Sequence, residues 1–118
     1  MSDVKLSTTP EPPYYAVIFT SLKTTPDDAE YNQMAMQMCE LAAAQPGYLG
    51  IEHVGDTEGA AITVSYWSSL EAIRNWQQHA DHLQAQSLGR EKWYDRFFLR
   101  VCRVERAHEF EAVKKQDS

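Results

Sequence analysis

The chain has 118 residues, of which 43% are hydrophobic and 24% charged, with 11 lysines and arginines against 17 aspartates and glutamates. This length suffices for one hydrophobic core. The formal charge of −6 offers no basic surface to release counterions from phosphates, so nucleic acid is excluded as a partner. No apolar run approaches the roughly 18 residues of a membrane span, and the polar start does not have the pattern of a secretory signal. We therefore expect a cytoplasmic domain with two free thiols and no membrane contact.

Composition divides the chain into three parts. Prolines with neighbouring serines and threonines mark residues 1–13 as a flexible arm that a partner subunit could order. Residues 109–118 form a second polar tail. Between them, residues 14–108 carry the alternating apolar and turn-forming segments of one folded domain, without an internal repeat.

The folded domain begins with a strand and a helix. Tyr14–Leu22 is rich in β-branched and aromatic residues, which predicts a strand that is covered on both faces. Thr25, followed by a proline and two acids, is a suitable N-cap for the helix. The apolar stripe of this helix is Tyr31, Met34, Met38, Leu41 and Ala42. Pro46 and Gly47 should end it.

A hairpin and a second helix come next. Tyr48–Gly55 and Ala60–Trp67 flank a loop with the residues of a tight β-turn, which predicts two paired strands. Ser68 and Glu71 form a capping box that opens the second helix. Its apolar positions recur every three or four residues to about Ser87.

The last segments complete the fold prediction. Arg90–Asp95 is a turn or short helix, and Phe97–Arg106 is a long final strand. The order is therefore β-α-β-β-α-β, an α+β class of ferredoxin-like type, with a four-stranded antiparallel sheet and both helices on one face. Apolar residues occupy both faces of several strands, so the face without helices should pack against a second copy in a symmetric homodimer.

Three segments resemble the antibiotic biosynthesis monooxygenase (ABM) domain family: residues 45–52 (QPGYLGIE), 62–76 (ITVSYWSSLEAIRNW) and 79–83 (HADHL). The similarity extends over roughly residues 15–106. It implies a dimeric α+β barrel, in which the sheets of two ferredoxin-like protomers face each other. Members of the family include cofactor-free monooxygenases of phenolic or quinol substrates and haem-degrading monooxygenases.

The resemblance implies different functional residues in these two branches. The haem-degrading branch uses a helical Trp, a strand Asn and a later His. Trp76 matches the first, whereas Thr20 and Gln86 stand near the other two positions. In the cofactor-free branch aromatic and polar residues line the pocket, and Trp67 matches at the strand end although no Asn lies just upstream. We expect no cofactor, and haem is the disfavoured alternative.

A cofactor-free oxygenase must make the substrate its own reductant, because O₂ reacts slowly with closed-shell molecules. Deprotonation of a phenol or hydroquinone achieves this and requires an apolar pocket, a base and a donor to the oxyanion. The expected substrate-binding residues, which would hold a small aromatic ligand between sheet and helices, are Tyr66, Trp67, Trp76, Trp93 and Tyr94. The expected catalytic residues are His79 or His82 as the base and Arg90 as the anion donor.

Each of these residues also has a structural interpretation. A tryptophan is most often part of a core, with its N–H bonded to a carbonyl. The histidines at 79 and 82 lack a third ligand, so no metal site is predicted. His53 could face the same cavity, but strand alternation alone does not say which face it occupies. The alternative function is a non-catalytic dimer that binds a small hydrophobic ligand and needs no base.

Overall fold

The computed structural model describes residues 5–25, 28–86 and 93–113, the segment 82–86 by its backbone. The elements in chain order are β1 (Tyr14–Lys23), α1 (Ala29–Ala43), β2 (Tyr48–Gly55), β3 (Ala60–Trp67), α2 (Leu70–Gln86) and β4 (Tyr94–Val104). The four strands form an antiparallel sheet in the order β2-β3-β1-β4. This confirms the predicted ferredoxin-like α+β fold, including the limits of the hairpin strands.

The helix caps differ from the prediction. Asp28, in extended conformation, caps α1 in place of Thr25, and its carboxylate accepts the Tyr31 backbone N–H at 3.1 Å. Ser69 caps α2 in place of Ser68, and its hydroxyl accepts the Ala72 N–H at 3.0 Å. Ser68 still continues the pairing of β3 with β2, because its own N–H donates to the carbonyl of Gly47, just before β2, at 2.8 Å. The helix therefore begins one residue later than predicted.

The register of the sheet separates two faces. Val17 pairs with Ser65 on β3 and Val101 on β4, and side chains of paired residues share a face. Val17 belongs to the core that packs against the helices, so the odd-numbered residues of β1 define the helix-covered face. The buried core residues there are Val17, Ala42, Trp67, Ala72 and Ile73.

Gly47 permits α2 to approach the sheet closely. Its φ of +86° is a conformation that glycine adopts without strain. A Cβ atom at this position would lie 2.6 Å from the Ala72 Cβ, which is closer than real Cβ contacts. Gly47, which was predicted to end α1, therefore also lets α2 pack closely at the point where β2 begins.

The final strand starts earlier than predicted. Tyr94 pairs with Lys23 beyond a register shift between Leu22 and Lys23, so β4 begins three residues before Phe97. The Thr24 N–H donates to the Trp93 carbonyl at 2.9 Å and extends this pairing. Tyr94 therefore lies at the start of a strand and not in the predicted connection, whereas Trp93 still precedes the strand.

The face opposite the helices is open and partly apolar. One row of paired residues crosses all four strands on this face: Val54, Ile62, Thr20 and Phe98. The three apolar members of the row are 44–54% exposed. Ser7 lies at the edge of the sheet, with its N–H donating to a Glu52 carboxylate oxygen at 2.9 Å and its hydroxyl to the Ile51 carbonyl at 3.1 Å. Within the described ranges, no helix is long and apolar enough to cross a membrane.

Candidate functional site

A cavity of about 410 Å³ lies between the helix-covered face of the sheet and the two helices. This volume is in the range of roughly 300–1,000 Å³ that is typical of small-molecule sites. The sheet side includes Val17, Phe19, Ile51, Thr63, Phe97 and Leu99. The helix side includes Tyr31, Met34, Met38, Cys39, Trp76 and Ala80. Most of these side chains are apolar, so the cavity suits a hydrophobic ligand with few polar atoms.

Stacked tryptophans close one end of the cavity. Trp76 on α2 forms the wall, and Trp67 lies behind it with a ring-centroid distance of 6.1 Å and an interplanar angle of 19°. Trp67 is completely buried, and its indole N–H donates to the Ser65 hydroxyl at 2.9 Å. The expectation that Trp67 would contact substrate is therefore corrected: it supports the wall, because the end of β3 lies directly beneath α2.

Two tyrosines, Tyr31 and Tyr94, contribute hydrogen-bonded hydroxyl groups to the cavity lining. The Tyr94 hydroxyl donates to the Tyr31 hydroxyl at 3.1 Å, and both residues line the cavity. Burial, followed by this hydrogen bond, raises the pKa of Tyr94 well above its ordinary value, so Tyr94 stays protonated. Phe19 packs edge-on against Tyr94 with a centroid distance of 5.5 Å. Trp93 is 3% exposed and packs against Tyr31 from behind, outside the cavity lining.

Tyr66 lies on the opposite face of the sheet. Its hydroxyl donates to a Glu52 carboxylate oxygen at 2.6 Å, and its ring packs edge-on against Tyr14. Burial and the Glu52 carboxylate raise the pKa of Tyr66 to about 12. The prediction that Tyr66 and Trp67 share a pocket is corrected, because adjacent residues of a strand point to opposite faces.

Of the predicted catalytic residues, the described side chains include His79 alone. His79 is an exposed residue of α2, whereas its neighbours Gln77 and Ala80 line the cavity. This exposed position does not place His79 among the lining residues, and its expected role as a base stays a prediction. The His82 side chain and Arg90 lie outside the described residues, so their predicted roles stay predictions.

A histidine on β2 is linked to the cavity instead. His53 pairs with Thr63, which places both on the helix-covered face, and the His53 Nδ1 lies 2.7 Å from the Thr63 hydroxyl oxygen. Thr63 lines the cavity, while the His53 ring lies at the sheet edge and is only partly covered by its neighbours. Partial burial, followed by repulsion from Lys23, lowers the pKa of His53 below its ordinary 6.5. The lowered pKa favours the neutral imidazole at neutral pH, and in its Nε2–H tautomer the Nδ1 is an acceptor for the Thr63 proton.

The described residues do not fit a haem site. Thr20, at the position that the haem-degrading branch would use, belongs to the open face and not to the cavity. Among the described lining residues there is no histidine to serve as an axial ligand, and the Gln86 side chain lies outside the description. In the part of the chain that the structure describes, no three His, Cys, Asp or Glu residues come together as metal ligands.

The fold is that of a small α+β domain with an aromatic-lined cavity between sheet and helices. The family model of the antibiotic biosynthesis monooxygenases matches residues 15–88, which is more than half of the chain. The protein belongs to this family, as the sequence resemblance implied. It is 49% identical over 106 residues to the uncharacterized protein YqjZ of Bacillus subtilis (strain 168), covering 90% of this chain and 92% of that protein.

Solved structures share the fold at low sequence identity. SnoaB from Streptomyces nogalater, a cofactor-independent oxygenase, superposes with a TM-score of 0.65 at 12% identity and covers 81% of this chain and 97% of its own. Rv0793 from Mycobacterium tuberculosis superposes with a TM-score of 0.62 at 15% identity, covering 83% and 99% of the two chains. At these identities the likeness establishes the fold, while the chemistry must be argued from this protein's own residues.

Proposed function

We propose that this protein is a cofactor-independent monooxygenase that oxidises a small phenolic or quinol-type aromatic molecule in the cavity between sheet and helices. The observation that carries the proposal is the cavity of about 410 Å³, with aromatic walls and a few hydroxyl groups at Thr63, Tyr31 and Tyr94. Such a site binds a planar ring by burial and orients it through a small number of polar contacts. The family and the reaction class of SnoaB support the same chemistry.

The proposed reaction needs only the substrate and O₂. Removal of a phenolic proton gives an electron-rich anion that transfers one electron to O₂. Recombination of the two radicals forms a carbon–oxygen bond and, after protonation, a hydroperoxide. The carbon that bears the hydroperoxide then loses its remaining proton as the O–O bond breaks. This leaves a carbonyl group and releases the second oxygen atom as water. The substrate thus supplies every electron, and the protein supplies proton transfer and binding.

His53 and Thr63 give the substrate proton a path out of the cavity. The substrate hydroxyl donates to the Thr63 oxygen in the wall, and the Thr63 proton passes to the His53 Nδ1 across 2.7 Å. The lowered pKa of His53 keeps the imidazole neutral and able to accept. His82 as a base and Arg90 as an anion donor remain parts of the proposal to be tested by substitution beside this pair.

The active form in this proposal is a cytoplasmic homodimer. The open face carries Val54, Ile62 and Phe98 in one row, each close to half exposed. Large exposed apolar patches are association surfaces in soluble proteins. A second copy packed face to face would bury both rows about a two-fold axis and leave the cavity of each protomer on the outer side of the barrel.

Oxygen uptake with a panel of hydroquinones and anthrones tests the proposal. Ala35 lines the cavity, so Ala35→Phe fills it, whereas Ala43→Phe places the same ring at an exposed position of the same helix. We expect saturable uptake by the wild type and by Ala43→Phe, and its loss in Ala35→Phe. Ligand binding without uptake by any variant would identify a binding protein. A tight stoichiometric haemin complex with a shifted Soret band would overturn the cofactor-independent mechanism.

A further inference from the structure

We propose that the hydroxyl groups of Tyr31 and Tyr94 form a donor pair, in which Tyr94 donates to Tyr31 and Tyr31 donates to the anionic oxygen of an aromatic ligand inside the cavity. The ligand class is a phenolate or the enolate of a fused-ring ketone, bound as the anion. This inference rests on the proposed function and deepens it, because it names the ionisation state in which the substrate is held. The pair also predicts binding behaviour that is measurable without turnover.

The two hydroxyl groups share one hydrogen bond, so one O–H proton of the pair is left for a ligand, and with Tyr94 as the donor this proton is that of Tyr31. Tyr94 donates its own proton to the Tyr31 oxygen at 3.1 Å. Within the described part of the chain, the Tyr31 hydroxyl proton has no acceptor, and the side chain lines the cavity. A donor that itself accepts a hydrogen bond is polarised by it and becomes a stronger donor. The Tyr31 O–H is therefore free to point at a ligand oxygen.

The electrostatics of the pair favour an anion. Burial and the bond to Tyr31 raise the pKa of Tyr94, so this phenol does not ionise and compete with the ligand for negative charge. The Lys23 ammonium nitrogen lies 4.8 Å from the centroid of the Tyr31 ring, on β1, and adds positive potential beside the donor. Asp81, on α2, is the carboxylate among the described lining residues, and its side chain is exposed.

Aromatic packing holds the donors in place before a ligand arrives. The rings of Tyr31 and Tyr94 meet edge-on at 5.7 Å and 88°, and Phe19 supports Tyr94 at 5.5 Å and 78°. Trp93 supports Tyr31 from outside the cavity at 5.9 Å and 77°. Donors that are fixed in a water-poor site need no reorganisation when negative charge develops on the ligand. Hydrogen bonds to an ionised oxygen are roughly twice as strong as those to a neutral one, so the pair selects the anion.

p-Nitrophenol is the probe, because its phenol and phenolate forms have separate absorption bands. Titration of the bound probe with pH gives its pKa in the cavity, and p-nitroanisole serves as a neutral probe of nearly the same shape. We expect the wild type to lower the pKa of bound p-nitrophenol below that of the free compound. Tyr31→Phe should reduce the preference for phenolate over phenol about tenfold, as expected for loss of one hydrogen bond to a charged group. Tyr94→Phe should cause a smaller loss.

Tyr48→Phe is the matched control, because Tyr48 packs against Trp67 and does not line the cavity. It should leave the pKa of the bound probe unchanged, and p-nitroanisole should bind equally to all four proteins. An unaltered or raised probe pKa in the wild type, or an unchanged phenolate preference in Tyr31→Phe, would overturn the inference, as would failure of both probes to bind. Phenolate selection without oxygen uptake from any substrate would contradict the proposed function while leaving the donor pair intact.

Discussion

Trp67 and Trp76 stack at a centroid distance of 6.1 Å, and only the second of them lines the cavity. The stack joins the end of β3 to the second turn of α2 and fixes the orientation of the cavity wall. Trp67 is the structural partner, since it is fully buried and its indole N–H is bonded to Ser65. Trp76 is half-buried and presents an aromatic surface to the cavity.

The roles of the two tryptophans are separable by substitution. Trp67→Ala should lower the free energy of unfolding by about 3 to 5 kcal/mol, because it empties a fully buried aromatic site. Trp76→Ala should cost clearly less stability but weaken binding of aromatic ligands. Urea denaturation and ligand titration measure the two effects. Equal destabilisation by the two substitutions, or tight ligand binding by Trp76→Ala, would contradict this division.

His53 should give the reaction a defined pH dependence. Its pKa lies below 6.5, so kcat/KM should be constant above that value and fall as the pH decreases through the pKa, where the imidazole is protonated and can no longer accept the Thr63 proton. His53→Gln should lower the rate and abolish this acidic limb. Thr63→Val should lower the rate equally, since the two residues act in series. An acidic limb that persists unchanged in His53→Gln would exclude the path.

The lowered pKa of His53 also makes the free energy of unfolding depend on pH. Because the folded state disfavours the charged imidazole, the unfolded chain binds more protons between the folded pKa and 6.5. The contribution of His53 to the free energy of unfolding is therefore full above pH 6.5. It is lost as the pH falls from 6.5 through the pKa of His53 in the folded state. Urea midpoints of the wild type and His53→Gln, compared from pH 7.5 down to 5, should converge at the acidic end. Parallel curves would contradict the lowered pKa.

The two candidate caps of α1 make a matched pair of substitutions. Asp28→Ala should destabilise the protein by about 1 kcal/mol, because the Tyr31 N–H loses its acceptor at 3.1 Å. Thr25→Ala should change the free energy of unfolding by less than about 0.5 kcal/mol, the usual range for a surface position. Thermal denaturation of both variants is the measurement, and a larger effect of Thr25→Ala would restore the sequence-based assignment.

The open face should control the oligomeric state. Sedimentation equilibrium is expected to give twice the chain mass for the wild type and the monomer mass for Ile62→Glu, which puts a charge in the centre of the apolar row. Met36→Glu is the control, because Met36 is 66% exposed on α1, away from this face. A monomeric wild type, or a dimer that survives Ile62→Glu, would contradict face-to-face association.

Local patterns were sufficient to predict the architecture. The hairpin strands alternate cleanly and are separated by a turn in which the Asp56 carboxylate accepts the N–H groups of Glu58 and Ala60 at 2.9 Å each. Their limits therefore follow from neighbours in sequence. The start of β4 does not, because Tyr94 joins the strand only through pairing with Lys23, more than 70 residues away in the chain.

The candidate site was less predictable, for two physical reasons. Alternation along β3 already implies that Tyr66 and Trp67 point to opposite faces, so the sequence contained the signal that separates them. The face on which His53 lies is fixed by its pairing with Thr63 on the neighbouring strand. The orientation of Tyr31 on α1 is fixed by its contact with Tyr94 on β4. Both depend on long-range packing that the local sequence does not reveal. Residue type alone favoured His79, although the packing of α2 leaves that side chain in solvent.

The central claim is that the cavity supports oxygen transfer without a cofactor, and labelled dioxygen tests it most directly. The protein, freed of metal ions by chelation and shown by absorption and mass spectrometry to carry no haem, is incubated with an anthrone or hydroquinone substrate under ¹⁸O₂. We predict a carbonyl product that carries one labelled oxygen atom, formed by the wild type and by Ala43→Phe and absent with Ala35→Phe. A product without label, or labelling that requires added haem or metal, would contradict the account.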